Sequence, residues 1–298
     1  MTHISVFGDV NVDVVSMLNG PLNLESDTRV NTRMSIGGSP CNMAAWIAQC
    51  MQPVSLLGCV GDDALGQYVK TQLGRKNIKS DLVALLPGER TGTCVILVDD
   101  QGRRTMLPDF GANLVFKLTD HISDRIRVSD VLVMSAYTYL RQETRELAAH
   151  IINVARENDV PIVIDAASSA PILEMGAVNA RRFLDQADII FANDDEMAAL
   201  TSDLPQGWLG SIPNIVIKHG ARGASWWSNG QIVSKRPARK TTVVDTTGAG
   251  DALLAGVVSA LAGAKMFIDI PQEIKAEALD YGLVVASKCC AQVGAWPV

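Results

Sequence analysis

Several common features are missing from this sequence, and each absence excludes a class of protein. The six cysteines form no CxxC pair and no Cys/His ligand spacing, so we expect no structural metal site. No run of about 18 apolar residues occurs, which predicts no membrane span. The first residues, MTHISVFGDVNVD, lack the basic segment and the long apolar run of a signal peptide. Because most of the cysteines sit in apolar runs, as free thiols do, we expect a reducing, cytoplasmic location.

Basic residues are outnumbered by acidic ones, 26 to 32, and the formal net charge is -6. Surfaces that bind nucleic acid are usually basic, so we expect no nucleic-acid partner. The short basic cluster Lys235, Arg236, Arg239 and Lys240 is typical of a solvated strand end, and the alternative is a rim that contacts phosphate. Hydrophobic residues make up 48% and charged residues 19%, a balance that fits a globular chain.

Strand-like apolar runs alternate with helix-like stretches along most of the chain. The strand-like runs are His3–Gly8, Val10–Val15, Val54–Val60, Val131–Met134, Ile162–Asp165, Ile189–Ala192, Ile215–Lys218 and the hairpin Ala224–Trp227 with Gln231–Ser234. The helix-like stretches are Ser39–Met51, with Ser39 as the cap, Asp62–Lys76, Gln142–Asn158, Val178–Gln186, Ala249–Leu261 and Gln272–Ala291. This alternation predicts an α/β fold with a mostly parallel sheet covered on both faces. With no repeat and no interdomain linker, residues 1–298 are predicted to form a single domain.

Two segments break this alternation. Val14–Ile36 is polar and has no helical period. Gly88–Asn113 contains a predicted hairpin, Thr91–Asp99 and Arg103–Leu107, around the turn Asp100-Gln101-Gly102. We expect the two segments to form a small β-rich lid beside the main sheet. An open sheet has unpaired edges and an apolar face, so two such lids can pair in a homodimer.

The segment Asp245-Thr246-Thr247-Gly248-Ala249-Gly250-Asp251 carries the clearest chemical signal. We expect a strand at Thr242–Val244 before it and an apolar helix after it. The glycines leave backbone N–H groups free to point at one spot at a helix N-terminus, where anions bind well. Asp251 beside such a site is either a common first-turn residue or a base that takes a proton from a hydroxyl during phosphoryl transfer. The segment is no Walker A loop, because no Gly-Lys-Ser/Thr follows.

This segment resembles the C-terminal signature of the ribokinase-like (PfkB) carbohydrate kinases. Four more segments agree with that family in order and spacing: Gly37–Asn42, Gly61–Gly66, Asn193–Glu196 as Asn-x-x-Glu, and Lys218–Gly223 with its Gly-x-x-Gly loop. The resemblance runs from about residue 3 to 295. It implies a ribokinase-like three-layer sandwich with a small lid. It also implies an ATP-dependent kinase that phosphorylates a small sugar or sugar derivative.

The resemblance further implies roles at the acceptor site. Asp251 is the implied general base, and the loop Gly248-Ala249-Gly250 the implied anion hole for the transferring phosphoryl group. Asp13 and Asn42 are implied to hydrogen-bond hydroxyls of the substrate. Gly38 is implied to let the sugar approach the backbone.

Nucleotide and metal contacts follow from the same resemblance. It implies that Asn193, Lys218, Gly220, Gly223 and Thr246 contact ATP. Glu196 is implied to orient water around Mg²⁺, an ion that usually keeps several waters and takes few protein ligands. Asp245 and the Gly294-Ala295 segment lie where some family members bind a monovalent cation such as K⁺. The alternative for Asn193 and Glu196 is a helix cap, because both open a predicted helix.

Other polar residues have no fixed interpretation from the sequence. Arg103 and Arg104 follow the hairpin turn, and each is either an exposed charge or a bidentate ligand for a substrate phosphate or the γ-phosphate of ATP. Asp165 ends a buried strand and could face the cleft. Asp9 is more typical of a turn than of a ligand.

Several alternatives compete with a sugar kinase at this point. A nucleoside kinase of the same fold would stack a base on an aromatic lid residue, and the candidates are Phe110, Phe116, Tyr137 and Tyr139. A non-catalytic sugar-binding paralogue is less favoured, because Asp251 and both loop glycines are present. Vitamin kinases share the fold, but the Gly37-Gly38 to Asn42 signature favours sugars and nucleosides. A nicotinamide-dependent oxidoreductase is rejected, because Gly8 starts no GxGxxG pattern.

Overall fold

Strands and helices alternate along the chain in the computed structural model, which describes residues 3–101, 103–203 and 207–297. The strands are β1 (Ile4–Phe7), β2 (Asn11–Leu18), β3 (Val30–Gly37), β4 (Val54–Gly61), β5 (Val83–Leu86), β6 (Gly92–Val98), β7 (Arg104–Asp109), β8 (Val131–Ser135), β9 (Ile162–Asp165), β10 (Ile189–Asn193), β11 (Ile215–Lys218), β12 (Ala224–Ser228) and β13 (Gln231–Arg236). The helices are α1 (Ser39–Gln49), α2 (Ala64–Arg75), α3 (Asp120–Arg127), α4 (Tyr137–Leu140), α5 (Arg145–Arg156), α6 (Ser169–Met175), α7 (Ala177–Leu184), α8 (Asp194–Leu200), α9 (Ala249–Ala264) and α10 (Gln272–Cys290).

Nine of these strands form the main sheet, in the order β13-β12-β11-β10-β9-β8-β1-β4-β5. Every neighbouring pair is parallel except β11–β12 and β12–β13, which are antiparallel. The strands β12 and β13 form the predicted hairpin. The central strands β8 and β9 are buried along their whole length and apolar up to their last residues, Ser135 and Asp165, as is typical of parallel strands between two helical layers.

Helices cover both faces of this sheet. Ile4 and Val6 of β1 pack into the core that α1, α2, α9 and α10 complete. Phe7, on the opposite face of the same strand, packs into the core of α3, α5, α7 and α8. The result is the predicted three-layer sandwich. Within residues 3–101, 103–203 and 207–297, no helix has the length and apolar character that crossing a membrane requires.

A second, four-stranded sheet has the order β3-β2-β6-β7, and we call it the lid sheet. β2 pairs antiparallel with β3 and parallel with β6, and β6 pairs antiparallel with β7. Its strands come from the two segments predicted to form a lid, so that prediction is confirmed. The turn residue Gly102 of the predicted hairpin lies outside the described residues, as do Met1 and Thr2.

Two local predictions were wrong. Thr242–Val244 forms no strand, because this exposed segment is held by α10: the N–H groups of Val244 and Asp245 both donate to the Cys290 carbonyl, at 2.8 and 3.3 Å. Ser39 does not cap α1. Gly38 occupies the cap position, and the Ser39 side chain is used elsewhere. The sequence interpretation also missed β5 and the short helices α3, α4 and α6.

The helices α9 and α10 approach each other closely at two glycines. A Cβ on Gly256 of α9 would lie 2.7 Å from the Cα of Gly282 in α10 and 2.9 Å from a methyl group of Val285. Neither distance leaves room for a carbon atom. The two backbones are therefore in direct contact at this point.

Gly256→Ala is expected to lower the free energy of unfolding by about 1–3 kcal/mol, because overpacking must push the helices apart. Gly263→Ala is the control, since Gly263 lies on the same helix and no atom lies within 4 Å of its added Cβ. There we expect a gain of about 0.5–1 kcal/mol from helix propensity. Urea denaturation measures both. Equal stability of the two variants would contradict the close contact.

Candidate active site

Polar side chains end three neighbouring strands of the main sheet. Asp165 is the last residue of β9, Asn193 of β10 and Lys218 of β11, and Asn193 is directly opposite Lys218 in the register. These strands are parallel, so their carboxyl ends meet at one edge. Ligands of open α/β sheets bind at this edge.

Lys218 joins two carboxylates there. Its ammonium group donates to Asp165 Oδ2 at 2.6 Å and lies 3.9 Å from Glu196 Oε2. Burial alone would lower the pKa of Lys218, but the charges of Asp165 and Glu196 reverse this and raise it, so the side chain stays protonated. Burial raises the pKa of Glu196, which is 3% exposed, and Lys218 opposes that rise.

The side chain of Lys218 runs along the N-terminus of α9. A Cβ on Gly250 would lie 3.4 Å from the Lys218 ammonium nitrogen. Gly248 precedes the helix in the left-handed conformation, with φ of 76°. The N–H groups of the first helical turn have no acceptor within their own helix. A fixed cation and a positive helix end thus point at one place, which suits an anion.

Asp251 lies in the first turn of α9 and is held by α1. Ser39 Oγ donates to Asp251 Oδ1 at 2.6 Å, and Asn42 Nδ2 donates to Oδ2 at 2.8 Å. No side chain caps the start of α9, so the Asp251 carboxylate does not act as a cap. Burial and the charge of Asp165 raise the pKa of Asp251 to about 6, against the hydrogen bonds of Ser39 and Asn42 and the charge of Lys218.

Asp13 and Asn42 lie on the same cleft as Asp251. Burial and the charge of Asp251 raise the pKa of Asp13 to about 6, so the two carboxylates are electrostatically coupled. Asn42 is 7% exposed, and its Oδ1 has no hydrogen-bond partner among the described residues. A buried acceptor without a partner is costly, and a ligand hydroxyl would satisfy it.

The backbone packing of the protein itself requires glycine at position 38. Its φ is 93°, and a Cβ there would overlap the Asp9 carbonyl oxygen. The Asp9 side chain is fixed as well, by a bidentate ion pair with Arg141 at 2.6 and 2.7 Å. The guanidinium of Arg141 also lies 4.3 Å from the centre of the Phe110 ring. The turn that follows β1 is therefore rigidly placed.

A cavity of about 560 Å³ lies between the lid sheet and the segment that leads into α9. Asp13, Arg33 and Arg104 line it from the lid sheet, and Asp245 and Thr246 line it from the opposite side. The two arginines found in the sequence at the hairpin therefore differ. Arg104 faces the cavity, whereas Arg103 is largely exposed and pairs with Asp99 at 2.7 Å.

Asp245 is surrounded by donors. Its carboxylate accepts from the N–H and hydroxyl of Thr247 and from the N–H of Gly294, at 2.9, 2.5 and 2.9 Å. Arg104 and Arg33 add two guanidinium contacts at 2.8 and 3.4 Å. Burial alone would raise the pKa of Asp245, but the Thr247 and Gly294 hydrogen bonds and the charge of Arg104 hold it below its ordinary value. The predicted monovalent-cation role of this residue stays a prediction, and these contacts do not support it.

Four of the five residues predicted to contact nucleotide, Asn193, Lys218, Gly220 and Gly223, lie around the same sheet edge, whereas Thr246 lines the cavity under the lid sheet. Asn193 and Glu196 form a capping box: Asn193 donates from N and Nδ2 to the two Glu196 oxygens, at 2.8 and 2.6 Å, and accepts from the Glu196 N–H at 2.8 Å. Gly220 and Gly223 bound the tight turn after β11, where both have positive φ. Thr246 is exposed, and its hydroxyl accepts from Arg104 at 3.2 Å.

Three of the four aromatic residues considered for base stacking pack elsewhere. Phe116 stacks on Phe7 in the core, with ring centres 6.0 Å apart. Tyr139 stacks on Phe183 at 4.1 Å, and Phe110 lies under Arg141. The fourth, Tyr137, lies close enough to the sheet edge for the charges of Asp165, Glu196 and Asp251 to raise the pKa of its hydroxyl, after the larger effect of burial, but it does not line the cavity under the lid sheet. Among the described residues, those that line the cavity include no aromatic side chain.

Sequence reasoning missed three residues of the site. Ser39 could have been identified, because it is a polar residue within the segment that runs from the Gly-Gly pair to Asn42, but the sequence interpretation assigned it as a helix cap. Nothing in the sequence singles out Arg33, because it lies in a polar strand that contains no motif. Nothing singles out Arg141 either, since its partner Asp9 is 132 positions away in the chain.

Comparisons with known proteins agree with this arrangement. A family model described as pfkB family carbohydrate kinase matches residues 1–297. The ATP-dependent ribose-1-phosphate kinase of Halopiger xanaduensis is 30% identical over 264 residues, which cover 87% of this chain and 84% of that protein. The ribokinase of Arabidopsis thaliana is 24% identical, over 98% of this chain and 77% of that protein.

Solved structures share the fold. Arabidopsis thaliana ribokinase complexed with ribose and ATP aligns with a TM-score of 0.81 at 21% identity, covering 100% of this chain and 96% of that one. Burkholderia thailandensis nucleoside kinase in complex with inosine aligns with a TM-score of 0.78 at 18% identity, covering 99% and 91%. At these identities the structures show the fold alone, and it is the ribokinase fold. With the family model matching almost every residue, this chain belongs to the pfkB family of carbohydrate kinases.

Proposed function

We propose that this chain transfers the γ-phosphate of ATP to a hydroxyl of a small sugar or sugar derivative, with Asp251 as the general base. Membership of the family makes it a sugar or nucleoside kinase. The observation that carries the finer proposal is the setting of the Asp251 carboxylate. It lies between the hydroxyl-binding side chains of the cleft and the anion-binding N-terminus of α9, with a pKa of about 6.

The reaction follows from that setting. Asp13 and Asn42 hold the acceptor by its hydroxyls, and Asp251 takes the proton of the reacting hydroxyl. The oxygen then bonds to the γ-phosphorus while the bond from that phosphorus to the bridging oxygen of ADP breaks. Lys218 and the N–H groups of the Gly248–Asp251 loop stabilise the charge on the transferring group.

The nucleotide is proposed to lie along the sheet edge, in contact with Asn193, Lys218, Gly220, Gly223 and Thr246. Mg²⁺ neutralises the phosphate oxygens when it is bound. Both Glu196 oxygens are already engaged by Asn193, so Glu196 fits an ion held through water rather than by direct ligation. No group of three or more His, Cys, Asp or Glu side chains suited to direct metal binding occurs in the described part of the chain.

A sugar is favoured over a nucleoside by the cavity beneath the lid sheet. A base is best held by an aromatic partner to stack on, and none of the described residues that line this cavity is aromatic. The curated relatives named above act on ribose 1-phosphate and ribose. Residues 1–298 are proposed to form a single domain into which the two lid segments are inserted.

A screen of acceptors tests the substrate class. ADP release would be followed with pentoses, hexoses, sugar phosphates, sugar acids and nucleosides. Turnover of a sugar derivative above all nucleosides supports the proposal. A preference for nucleosides would replace it with the nucleoside-kinase alternative. Binding of sugars without any turnover would indicate a non-catalytic paralogue.

Asp251→Asn is expected to lower kcat by about 10²–10⁴-fold, because the amide keeps the size of the side chain and removes its basicity. ATP affinity should hold or improve slightly, since a negative charge near the phosphates is lost. Asp120→Asn, at the exposed first turn of α3, is the matched control and should change neither kcat nor ATP affinity. Near-normal kcat in Asp251→Asn with an unchanged melting temperature would show that the base lies elsewhere.

Activity is expected to fall below about pH 6 and to approach a loss of about tenfold per pH unit, because protonated Asp251 cannot accept a proton. Asp13 titrates in the same range and is coupled to Asp251, so the apparent pKa belongs to the pair. The raised pKa values mean that both carboxyls bind protons more readily in the folded state. Their contribution to stability therefore rises as pH falls from 6 towards 3.8, and the melting temperature should not fall with the activity. A flat kcat/KM profile down to pH 5 would contradict the assignment.

The outer face of the lid sheet, opposite the face that carries Asp13, has an apolar row across all four strands. Val14 pairs with Met34 on one side and Val95 on the other, and Val95 pairs with Leu107. Met34 and Leu107 are 50% and 54% exposed. We propose that this row pairs with the same row of a second copy in a homodimer.

Light scattering should give about twice the chain mass of 31.9 kDa for the wild type. Met34→Glu combined with Leu107→Glu should give a monomer, because two buried charges would face each other across the interface. Leu173→Glu, at an exposed leucine of α6, should remain dimeric. A monomeric wild type at every concentration would remove the dimer from the proposal.

A further inference from the structure

Two arginines of the lid sheet point into the acceptor cavity from opposite edges. Arg33 lies on β3 opposite Val15, and Arg104 lies on β7 opposite Val98. Side chains two residues apart on a strand share a face, and so do paired residues on neighbouring strands. Both arginines therefore project from the face that carries Asp13. Both also line the cavity.

The two guanidinium groups converge on one carboxylate and are only partly used by it. Arg104 contacts Asp245 and Thr246 through Nη2 alone, and Arg33 contacts Asp245 through Nη2 alone, at 3.4 Å. A guanidinium has five N–H donors. The side chains of Arg33 and Arg104 are 39% and 26% exposed, so donors remain available to a ligand.

The charges of this cluster do not cancel. Around Asp245, two arginines and one carboxylate leave one positive charge, while Asp13, the other charged residue of the lining, is electrostatically coupled to Asp251. Asp245 is also satisfied from its own side of the cavity, by Thr247 and Gly294. It does not require both arginines for its hydrogen bonds. A neutral sugar bound in this cavity would leave the positive charge of the two arginines without a partner in the ligand.

We propose that the acceptor carries a phosphate monoester and that Arg33 and Arg104 bind it. This inference rests on the proposed kinase function and specifies its substrate class. A phosphate monoester carries about -1.5 to -2 charges and three acceptor oxygens, which match two guanidinium forks. Arg33 is opposite Val15, two residues along β2 from Asp13, or roughly 7 Å at the rise of a strand. That spacing places the anionic group about one sugar ring from the hydroxyls held by Asp13.

The γ-phosphate of ATP is the competing ligand for these arginines. Lys218 and the N-terminus of α9 already supply a cation and N–H donors for it. Arg33 and Arg104 instead belong to the face and cavity of the acceptor ligand Asp13. The two possibilities differ in a measurable way, because only binding of the acceptor makes the effect of the arginines depend on the charge of the acceptor.

The experiment measures kcat/KM for ribose 1-phosphate, ribose 5-phosphate, ribose and gluconate in the wild type and in Arg33→Met, Arg104→Met and Arg103→Met. One of the sugar phosphates should be the preferred acceptor. Arg104→Met should lower its kcat/KM by about 10- to 150-fold, through KM, as for loss of a charge-assisted hydrogen bond. Values for ribose and the KM for ATP should stay within about threefold. Arg104→Lys should recover part of the loss, and Arg103→Met, at an exposed arginine paired with Asp99, should match the wild type.

Three results would overturn the inference while leaving the kinase function intact. They are equal losses for ribose and ribose phosphates with a raised KM for ATP, a wild-type preference for ribose, and a wild-type preference for gluconate. If a thermal melt shows that Arg104→Met is unstable, Arg33→Met tests the same site, because the ion pair of Arg33 with Asp245 is the longer of the two and its loss costs less stability.

If no acceptor is turned over, the proposed function fails, and calorimetry then tests this inference separately. Binding of ribose 5-phosphate to the wild type and not to Arg33→Met/Arg104→Met supports it, and no binding to either protein overturns it.

Discussion

Three carboxylates at the edge of the main sheet share the buried ammonium group of Lys218, and the site depends on that arrangement. Asp165, Glu196 and Asp251 each act on its charge, and together they hold it protonated against the cost of burial. In return, the cation offsets part of the cost of burying Glu196 and Asp251. Removing one partner of a buried ion pair costs about 3–5 kcal/mol, so Lys218 and Asp165, in direct contact at 2.6 Å, stabilise each other in place. The fold supplies the arrangement because parallel strands deliver their last residues to one edge.

The proposed base, Asp251, is placed by a second constraint, the packing of α1 against α9. The first turn of α1 contributes Ser39 and Asn42, and both donate to Asp251 across the helix interface. These bonds orient the carboxylate and favour its charged form, while burial and Asp165 oppose it. The balance leaves a carboxyl with a pKa near 6, which is charged at neutral pH and more basic than an exposed aspartate. Such a group is suited to take a proton from an alcohol.

Features that depend on neighbouring residues in the chain could be predicted from the sequence, and features that depend on distant residues could not. The buried strands and the loop Gly248–Asp251 could be predicted, because apolar runs and paired glycines are local patterns. The partners of Asp251 could not, because Ser39 and Asn42 lie more than 200 positions away in the chain. The expected strand at Thr242–Val244 failed for the same reason. Its β-branched residues suit a strand, but α10 takes the backbone donors that a neighbouring strand would need.

Asp245 links the lid sheet to the catalytic loop. Through Thr247 and Gly294 it is fixed to the segment that enters α9, three residues before Gly248, and through Arg33 and Arg104 it is tied to both edges of the lid sheet. Any ligand that draws the arginines into the cavity therefore acts on a carboxylate within the same loop that bears the anion-binding N–H groups. The contacts of Asp245 with Thr247 and Gly294 do not involve the arginines, so the loop keeps these contacts when one arginine is lost. Under the proposed function, a ligand bound below the lid sheet meets the two arginines that contact Asp245, and Asp245 is part of the segment that leads into the proposed phosphate-binding loop.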